Sequence, residues 1–212
     1  MFSLIFLIVC LYIIYCKRIN ALYASSAYIS SPTTVSELDT LRYTGMWYQI
    51  SSDAFVYNNL EYDAYCATVS YWESPDGTIS VHNYAKVKSP KGSNFTMNGF
   101  IMQKDPDNEP GKFSLTINYF SMAMPINRVP FVSSSYWVLA LGPINKQGLY
   151  DYAIVSDSSS VSLYVLARNV KRFYEKYEDE VDNLLEELGF IGIKSPVYMY
   201  HGRDCEYEYG FY

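Results

Sequence analysis

Short segments in which apolar and polar residues alternate follow one another along most of the chain. The alternation is clearest over residues 113–119, and such segments also cover 68–71, 79–86, 95–103, 135–141, 150–156 and 162–167, with a further one starting near Met46. A period of two places successive side chains on opposite faces of a strand. Turn residues such as those at 74–77 and 105–108 separate the segments. The pattern therefore predicts about eight antiparallel strands.

Eight antiparallel strands joined by short turns can close on themselves, which removes exposed sheet edges. We therefore predict an all-β fold, an eight-stranded antiparallel up-and-down β-barrel. Over residues 170–188 the apolar period changes to that of a helix, which predicts one C-terminal amphipathic α-helix packed outside the barrel. The acidic side chains on its other face are typical of a solvated surface, because no histidine stands at metal-ligand spacing from them.

The N-terminus has the pattern of a secretory signal peptide. Residues 2–16 are almost wholly apolar, and small residues such as Ala21 and Ala24 follow. We therefore divide the chain into a signal peptide (1–24), an N-terminal extension (25–37), the barrel with its helix (38–198) and a C-terminal tail (199–212). The alternative is a membrane anchor that is not cleaved, although the apolar run is shorter than the ~20 residues that span a bilayer.

Secretion changes the interpretation of the cysteines and of one asparagine. Cys66 and Cys205 remain after the signal segment is removed, and in an oxidising compartment we expect them to form a disulfide that ties down the tail. Asn94 begins an Asn-Phe-Thr sequon, so we expect it to be glycosylated.

Composition and charge narrow the classes of function. The formal net charge of -6 and the lack of a basic patch argue against a nucleic-acid partner. His82 and His201 are the only histidines, and neither has the spacing of a metal site or a catalytic triad. No glycine-rich phosphate loop is present. We therefore predict no cofactor, no metal and no enzymatic activity.

Three passages resemble the lipocalin family, in particular the apolipoprotein D branch that includes bacterial and plant lipocalins. They are the Gly-Met-Trp-Tyr sequence that begins at Gly45, residues 136–140, and residues 163–169 before the helix. The resemblance implies that Gly45, Trp47 and Arg168 are structural, with Arg168 stacked over Trp47 as a cation–π plug at the closed end. The sequence departs from the family at residues 141–143, where Leu-Gly-Pro replaces a Thr-Asp-Tyr signature. Asp151 and Tyr152 follow only after an insertion.

The resemblance implies an extracellular carrier of a small hydrophobic molecule such as a lipid, fatty acid or sterol. Strand alternation and similarity to apolipoprotein D agree on Tyr71, Asn83 and Tyr164 as pocket residues. Unpaired burial of their polar atoms in a dry core costs roughly 1–3 kcal/mol each, which favours a pocket over a filled interior. Alternation adds neighbours on the same faces, so the predicted ligand-binding set is Tyr71, Asn83, Tyr164, Val69, Val81 and Leu166.

Two loops at the predicted mouth are unusually apolar and suggest contact with membranes or lipoproteins. They are residues 55–60, which include Phe55 and Leu60, and residues 122–131, which include Met122 and Phe131. Two other functions stay open. One is an isomerase that uses Cys66 as a free thiolate, by resemblance to the prostaglandin D isomerase among lipocalins. The other is a partner-binding protein with an empty barrel and a loose tail over residues 205–212.

Overall fold

Eight antiparallel strands close into a barrel, which confirms the predicted fold. The structure, a computed structural model, describes residues 31–59, 61, 63–118 and 131–208. Each strand pairs with the next, and β1 pairs with both β2 and β8, which closes the barrel. The strands are β1 (Gly45–Asp53), β2 (Ala64–Glu73), β3 (Ile79–Val87), β4 (Ser93–Gln103), β5 (Lys112–Asn118), β6 (Phe131–Leu141), β7 (Tyr152–Ser156) and β8 (Leu163–Ala167).

Short helices and one further strand flank the barrel. They are α1 (Thr40–Tyr43), α2 (Ala54–Asn59), α3 (Val170–Lys176), α4 (Glu178–Glu187), a 3-10 helix (Gly192–Lys194) and β9 (Pro196–Tyr198). The predicted single C-terminal helix is thus divided in two at Tyr177, whose φ of -122° and ψ of -13° are not helical. The hydroxyl of Tyr177 donates to the buried carboxylate of Asp151, so this residue is held toward the barrel.

Two large apolar clusters and a small one stabilise the described part of the unit Pro32–Tyr212 in which these elements lie. The two large clusters occupy different places. One fills the barrel interior around Trp47, and the other lies between the outer barrel surface and α3 and α4. Strand β8 serves both, because Leu166 packs in the interior cluster while Leu163 and Val165 pack in the outer one. Both faces of β8 are therefore covered by other side chains, and this explains why the strand is apolar on both faces.

Arg168 closes one end of the barrel. Its guanidinium carbon lies 3.6 Å from the centroid of the Trp47 ring. Gly45 approaches so closely that a Cβ atom there would lie 3.2 Å from Nη1 of Arg168. The guanidinium donates hydrogen bonds to five backbone carbonyl oxygens, those of Arg42, Tyr43, Thr44, Met46 and Tyr150. One side chain therefore joins the segment before β1, the start of β1 and the end of β8.

The C-terminal segment completes the barrel wall near the opposite end, the mouth. Strands β1 and β2 pair only over residues 45–48 of β1, and β9 pairs with residues 51–53 of β1. On the other side of the gap, the backbone N–H of Cys66 donates to the carbonyl oxygen of Tyr200 at 2.9 Å. The expected disulfide between Cys66 and Cys205 is present and locks this segment in place.

The tail is bound along the outer face of β3 as far as residue 208, so the prediction that it is loose is wrong for this part. Glu206 forms an ion pair with Lys86 at 3.2 Å. Glu208 lies 3.2 Å from the imidazole of His82. The ring of Tyr207 packs against Tyr48. These contacts extend the attachment that the disulfide begins.

Replacing both bridge cysteines, Cys66→Ser with Cys205→Ser, should lower the free energy of unfolding by about 3–5 kcal/mol in the chain-entropy model, because the bridge closes a long loop. Urea unfolding of the oxidised wild type and the variant measures the difference. A reducing agent should destabilise the wild type and leave the variant unchanged, which serves as the control. Equal stabilities under oxidising conditions would contradict this role for the bridge.

Arg168→Lys should lower the free energy of unfolding by about 2 kcal/mol or more, because an ammonium group cannot reproduce the planar stack or the set of hydrogen bonds. Chemical denaturation followed by tryptophan fluorescence measures the loss. The matched control is Arg203→Lys at an exposed position, which should change stability by less than about 0.5 kcal/mol. A similar small change for both variants would show that Arg168 does not hold the closed end.

Candidate functional site

Strand register shows which side chains face the barrel interior. Directly paired residues share a face of the sheet. Val69 and Tyr71 belong to the interior cluster, and their partners on β3 are Asn83 and Val81. On the other side of the barrel, Leu166 belongs to the same cluster and pairs with Gln49, while Tyr164 pairs with Ser52. All six predicted ligand-binding residues therefore lie on the interior face.

The six residues do not share one environment. Val69, Tyr71, Val81 and Leu166 are almost fully buried in the packed cluster around Trp47, in the half of the interior next to the closed end. Asn83 and Tyr164 are only partly buried. The interior thus has a filled half near Arg168 and a more accessible half toward the mouth.

Three tyrosines form a hydrogen-bonded group in the filled half. The hydroxyl of Tyr136 is bonded to the hydroxyls of both Tyr43 and Tyr71, at 2.5 and 2.8 Å. Burial raises the pKa of each of the three phenols. Since the hydroxyl of Tyr71 has a protein partner, its burial needs no ligand, and the polarity argument for a pocket does not apply to it.

The accessible half of the interior is lined by apolar residues with a few polar groups. Met97 and Ile117 are partly buried on β4 and β5, on the same face as the interior cluster. The side-chain amide of Asn83 donates to the carbonyl oxygen of Met97 at 3.4 Å, a long hydrogen bond. Apolar walls with a few oriented polar groups are typical of a site for a small molecule.

A carboxylate that the sequence did not single out also reaches this half. Glu61 lies in the connection between β1 and β2, and its oxygen Oε2 accepts hydrogen bonds from Gln49 at 2.7 Å and from Ser52 at 2.8 Å. Burial raises the pKa of the Glu61 carboxyl, and these two hydrogen bonds only partly offset the effect. No spacing pattern marks Glu61, because the chain brings it to the interior through an irregular connection.

Two surface clefts lie away from this half of the interior. One, of about 280 Å³, opens at the closed end and is lined by residues such as Thr40, Glu73 and Gln103. The other, of about 450 Å³, lies along β5 and β6 and is lined largely by serines together with Lys104 and Lys112. Neither contains any of the predicted ligand-binding residues.

The insertion before β7 places Asp151 at the closed end. Its carboxylate is buried and accepts hydrogen bonds from Arg172 at 2.6 Å, Tyr177 at 2.8 Å and Asn145 at 2.9 Å. Its carbonyl oxygen accepts from the backbone N–H of Arg168. Although the Thr-Asp-Tyr signature is absent at residues 141–143, Asp151 therefore still anchors the end of β8 to the helix that follows it.

The other predicted sites are the Cys66 thiol, the glycosylation site and the two apolar mouth segments. Cys66 is bonded to Cys205, so it carries no free thiol for the isomerase alternative. Asn94 is exposed on β4, and its glycosylation stays a prediction. Val56, in the first predicted mouth segment, is completely buried in α2 rather than exposed. Residues 122–130 of the second segment lie outside the described part of the chain, so membrane contact there stays a prediction.

Two further features are absent from the described residues. Within 31–59, 61, 63–118 and 131–208, no group of three or more histidine, cysteine, aspartate or glutamate residues is arranged to hold a metal ion. None of the helices in these ranges has the length and apolar character needed to cross a membrane.

Comparison with known proteins agrees with this architecture. The profile of the lipocalin-like domain matches residues 38–192. Temperature-induced lipocalin-1 of Arabidopsis thaliana is 29% identical over 153 residues, which cover 72% of this chain and 75% of the plant protein.

Two solved structures are similar in fold. Insecticyanin from the tobacco hornworm Manduca sexta has a TM-score of 0.62 at 20% identity, covering 85% of this chain and 90% of its own. The amine-binding protein of Rhodnius prolixus, solved as its tryptamine complex, has a TM-score of 0.55 at 18% identity, covering 84% and 90%. The profile match, which spans well over half of the sequence, shows that the chain belongs to the lipocalin family, whose members bind small hydrophobic ligands.

Proposed function

We propose that this lipocalin is a secreted carrier that binds one small hydrophobic molecule in the mouth half of the barrel interior. The observation that supports the proposal is the difference in side-chain burial between the two halves of the barrel interior. Around Trp47 the side chains are fully buried, whereas Asn83, Met97, Ile117 and Tyr164 on the same inner surface are partly accessible. A closed base with an accessible, mostly apolar upper half supports binding of a ligand that enters from the mouth.

The expected cargo is a lipid, fatty acid, sterol or another apolar molecule of similar size. The tryptamine complex of the Rhodnius prolixus protein supports the view that a barrel of this fold can take up a small molecule with an aromatic ring. We propose transport rather than chemistry on the cargo. The thiol that an isomerase would need at Cys66 is used in the disulfide.

Three features support secretion. Residues 2–16 have the apolar character of a signal segment, and Asn94 heads a glycosylation sequon at an exposed position. The disulfide between Cys66 and Cys205 belongs to the mature part of the chain. Disulfides of this structural kind persist in oxidising compartments.

A bulkier side chain in the mouth half of the interior should weaken ligand binding. Met97→Trp adds bulk on the inner face of β4, and we expect the affinity for the neutral fluorescent probe N-phenyl-1-naphthylamine to fall at least tenfold, because the larger ring occupies the ligand space. The matched control is Met102→Trp, the same substitution on the same strand, where the side chain is exposed on the outer face. Fluorescence titration measures both. Equal probe affinity in the two variants would contradict a site in this half.

Secretion is tested by expressing the full chain with a C-terminal tag in cultured secretory cells. We expect the protein in the medium, with an N-terminus near Ala24 and with a mass that falls after enzymatic removal of N-glycans. Asn94→Gln should remove that mass difference and leave secretion intact. Retention in the cell membrane with residues 1–24 still attached would instead support the uncleaved anchor.

A further inference from the structure

The side chain of Glu61 enters the ligand-binding half of the barrel. Gln49 pairs with Leu166 of the interior cluster, and Ser52 pairs with Tyr164, so both side chains that hold Glu61 are on the inner face. The backbone of Glu61 is fixed as well, because its N–H donates to the carbonyl oxygen of Val56. The carboxylate is therefore a built part of the inner wall near the mouth.

The Glu61 carboxylate has no cationic partner among the residues that the structure describes. Within the described part of the chain, no lysine, arginine or histidine forms an ion pair with Glu61. Gln49 and Ser52 both donate to Oε2, and no described residue donates a hydrogen bond to Oε1. A largely buried carboxylate without a counter-charge is unfavourable by itself, because desolvation is not offset by an ion pair.

Tyr164 lies beside the Glu61 carboxylate, and its hydroxyl is available for a hydrogen bond to a ligand. Its side chain is partly buried, and among the described residues the hydroxyl has no hydrogen-bond partner. Ser52 pairs with Tyr164 and donates to Glu61, so the carboxylate lies close to the phenol. Desolvation raises the pKa of Tyr164, and the charges of Glu61 and Asp53 raise it further. Every fully buried polar atom of the described side chains has a partner, so the hydroxyl of Tyr164 is accessible to a ligand or to water.

We propose that the cargo carries a protonated amine, which binds to Glu61 and Tyr164 while its apolar body extends along the inner wall toward Met97. This inference rests on the proposed function and deepens it by naming the chemical class of ligand. An ammonium group supplies the missing counter-charge and donates to Oε1 and to the phenol oxygen.

The charges around the site favour a cation over an anion. Asp53 directly follows Ser52, which donates to Glu61. The backbone N–H groups of Leu163 and Ser162, next to Tyr164 in the chain, donate to Asp53 and Asp157, so both carboxylates lie near the site. All three acidic groups carry the same sign, and no cation of the described residues pairs with Glu61. A fatty acid would bring a further carboxylate to this wall, and like charges repel strongly where water is scarce. The site therefore selects amines against the fatty acids that the family resemblance suggested.

Two series of ligands test the charge preference while the apolar body stays constant. The indole series is tryptamine, indole-3-ethanol and indole-3-acetate, and the octyl series is octylamine, octanol and octanoate. Isothermal titration calorimetry on the whole oxidised protein measures each affinity at pH 7.5 and low salt. We expect the amine of at least one series to bind tenfold or more tighter than its alcohol, and each carboxylate to bind more weakly than its alcohol.

Glu61→Gln keeps the size of the side chain and its hydrogen bonding but removes the charge. We expect this variant to bind amine and alcohol within about twofold of each other, since tenfold corresponds to about 1.4 kcal/mol of lost charge interaction. It should retain its affinity for N-phenyl-1-naphthylamine. The matched control is Glu187→Gln on the exposed face of α4, which removes one negative charge outside the barrel and should keep the amine preference.

The amine preference should also depend on pH. Because burial raises the pKa of Glu61, protonation should weaken amine binding as the pH falls, beginning at a higher pH than an ordinary glutamate would require. The pKa of Asp157 is lowered, because its partial burial is outweighed by the hydrogen bonds that its carboxylate accepts from residues 159–162, so this group stays charged over the range in which Glu61 becomes protonated. The Glu61→Gln variant should show a flatter profile over the same range.

The outcomes separate the two proposals. If the wild type binds N-phenyl-1-naphthylamine but neither amine better than its alcohol, the amine site is wrong and the carrier function stands. If the preference survives in Glu61→Gln, the assignment to Glu61 is wrong. If the wild type binds neither the probe nor any ligand of the two series, both the carrier function and the amine site are overturned.

Discussion

The stacking of Arg168 on Trp47 is the interaction on which the rest of the barrel depends. Removing a guanidinium from water is costly, and here the cost is offset by the indole face together with five carbonyl acceptors. The contact fixes the start of β1 against the end of β8, so the barrel is closed at this end. Because this base is packed, the accessible space of the interior lies toward the mouth.

The mouth depends on a different constraint. Strands β1 and β2 separate there, and the C-terminal segment fills the gap, held by β9 and by the bond between Cys66 and Cys205. Met199 of this segment packs on Ala67 and Ala85. The disulfide is thus part of the wall beside the ligand-binding half. Cys66 holds the C-terminal segment in place and has no thiol for nucleophilic chemistry.

Strand alternation predicted the barrel well because side chains on a strand alternate with a fixed period, and one misplaced residue would reverse both faces. It also placed Tyr71, Asn83 and Tyr164 on the inner face. It could not separate Tyr71, whose hydroxyl Tyr136 satisfies, from Tyr164, whose hydroxyl is open, because hydrogen bonds between distant strands leave no local pattern. Glu61 was missed for a related reason, since an irregular connection carries it inward. Likewise β9 is too short, and the break at Tyr177 too local, to disturb a periodic pattern.

We propose that the interior beyond the packed base holds a small molecule. Native mass spectrometry of the purified, oxidised protein, followed by organic extraction, is the decisive experiment. We expect a one-to-one complex that releases an apolar molecule, and the proposed amine site predicts that this molecule carries an amino group. A single empty species, unchanged when the protein is offered amines, alcohols and neutral apolar probes, would contradict the claim and indicate a barrel that is filled by its own side chains.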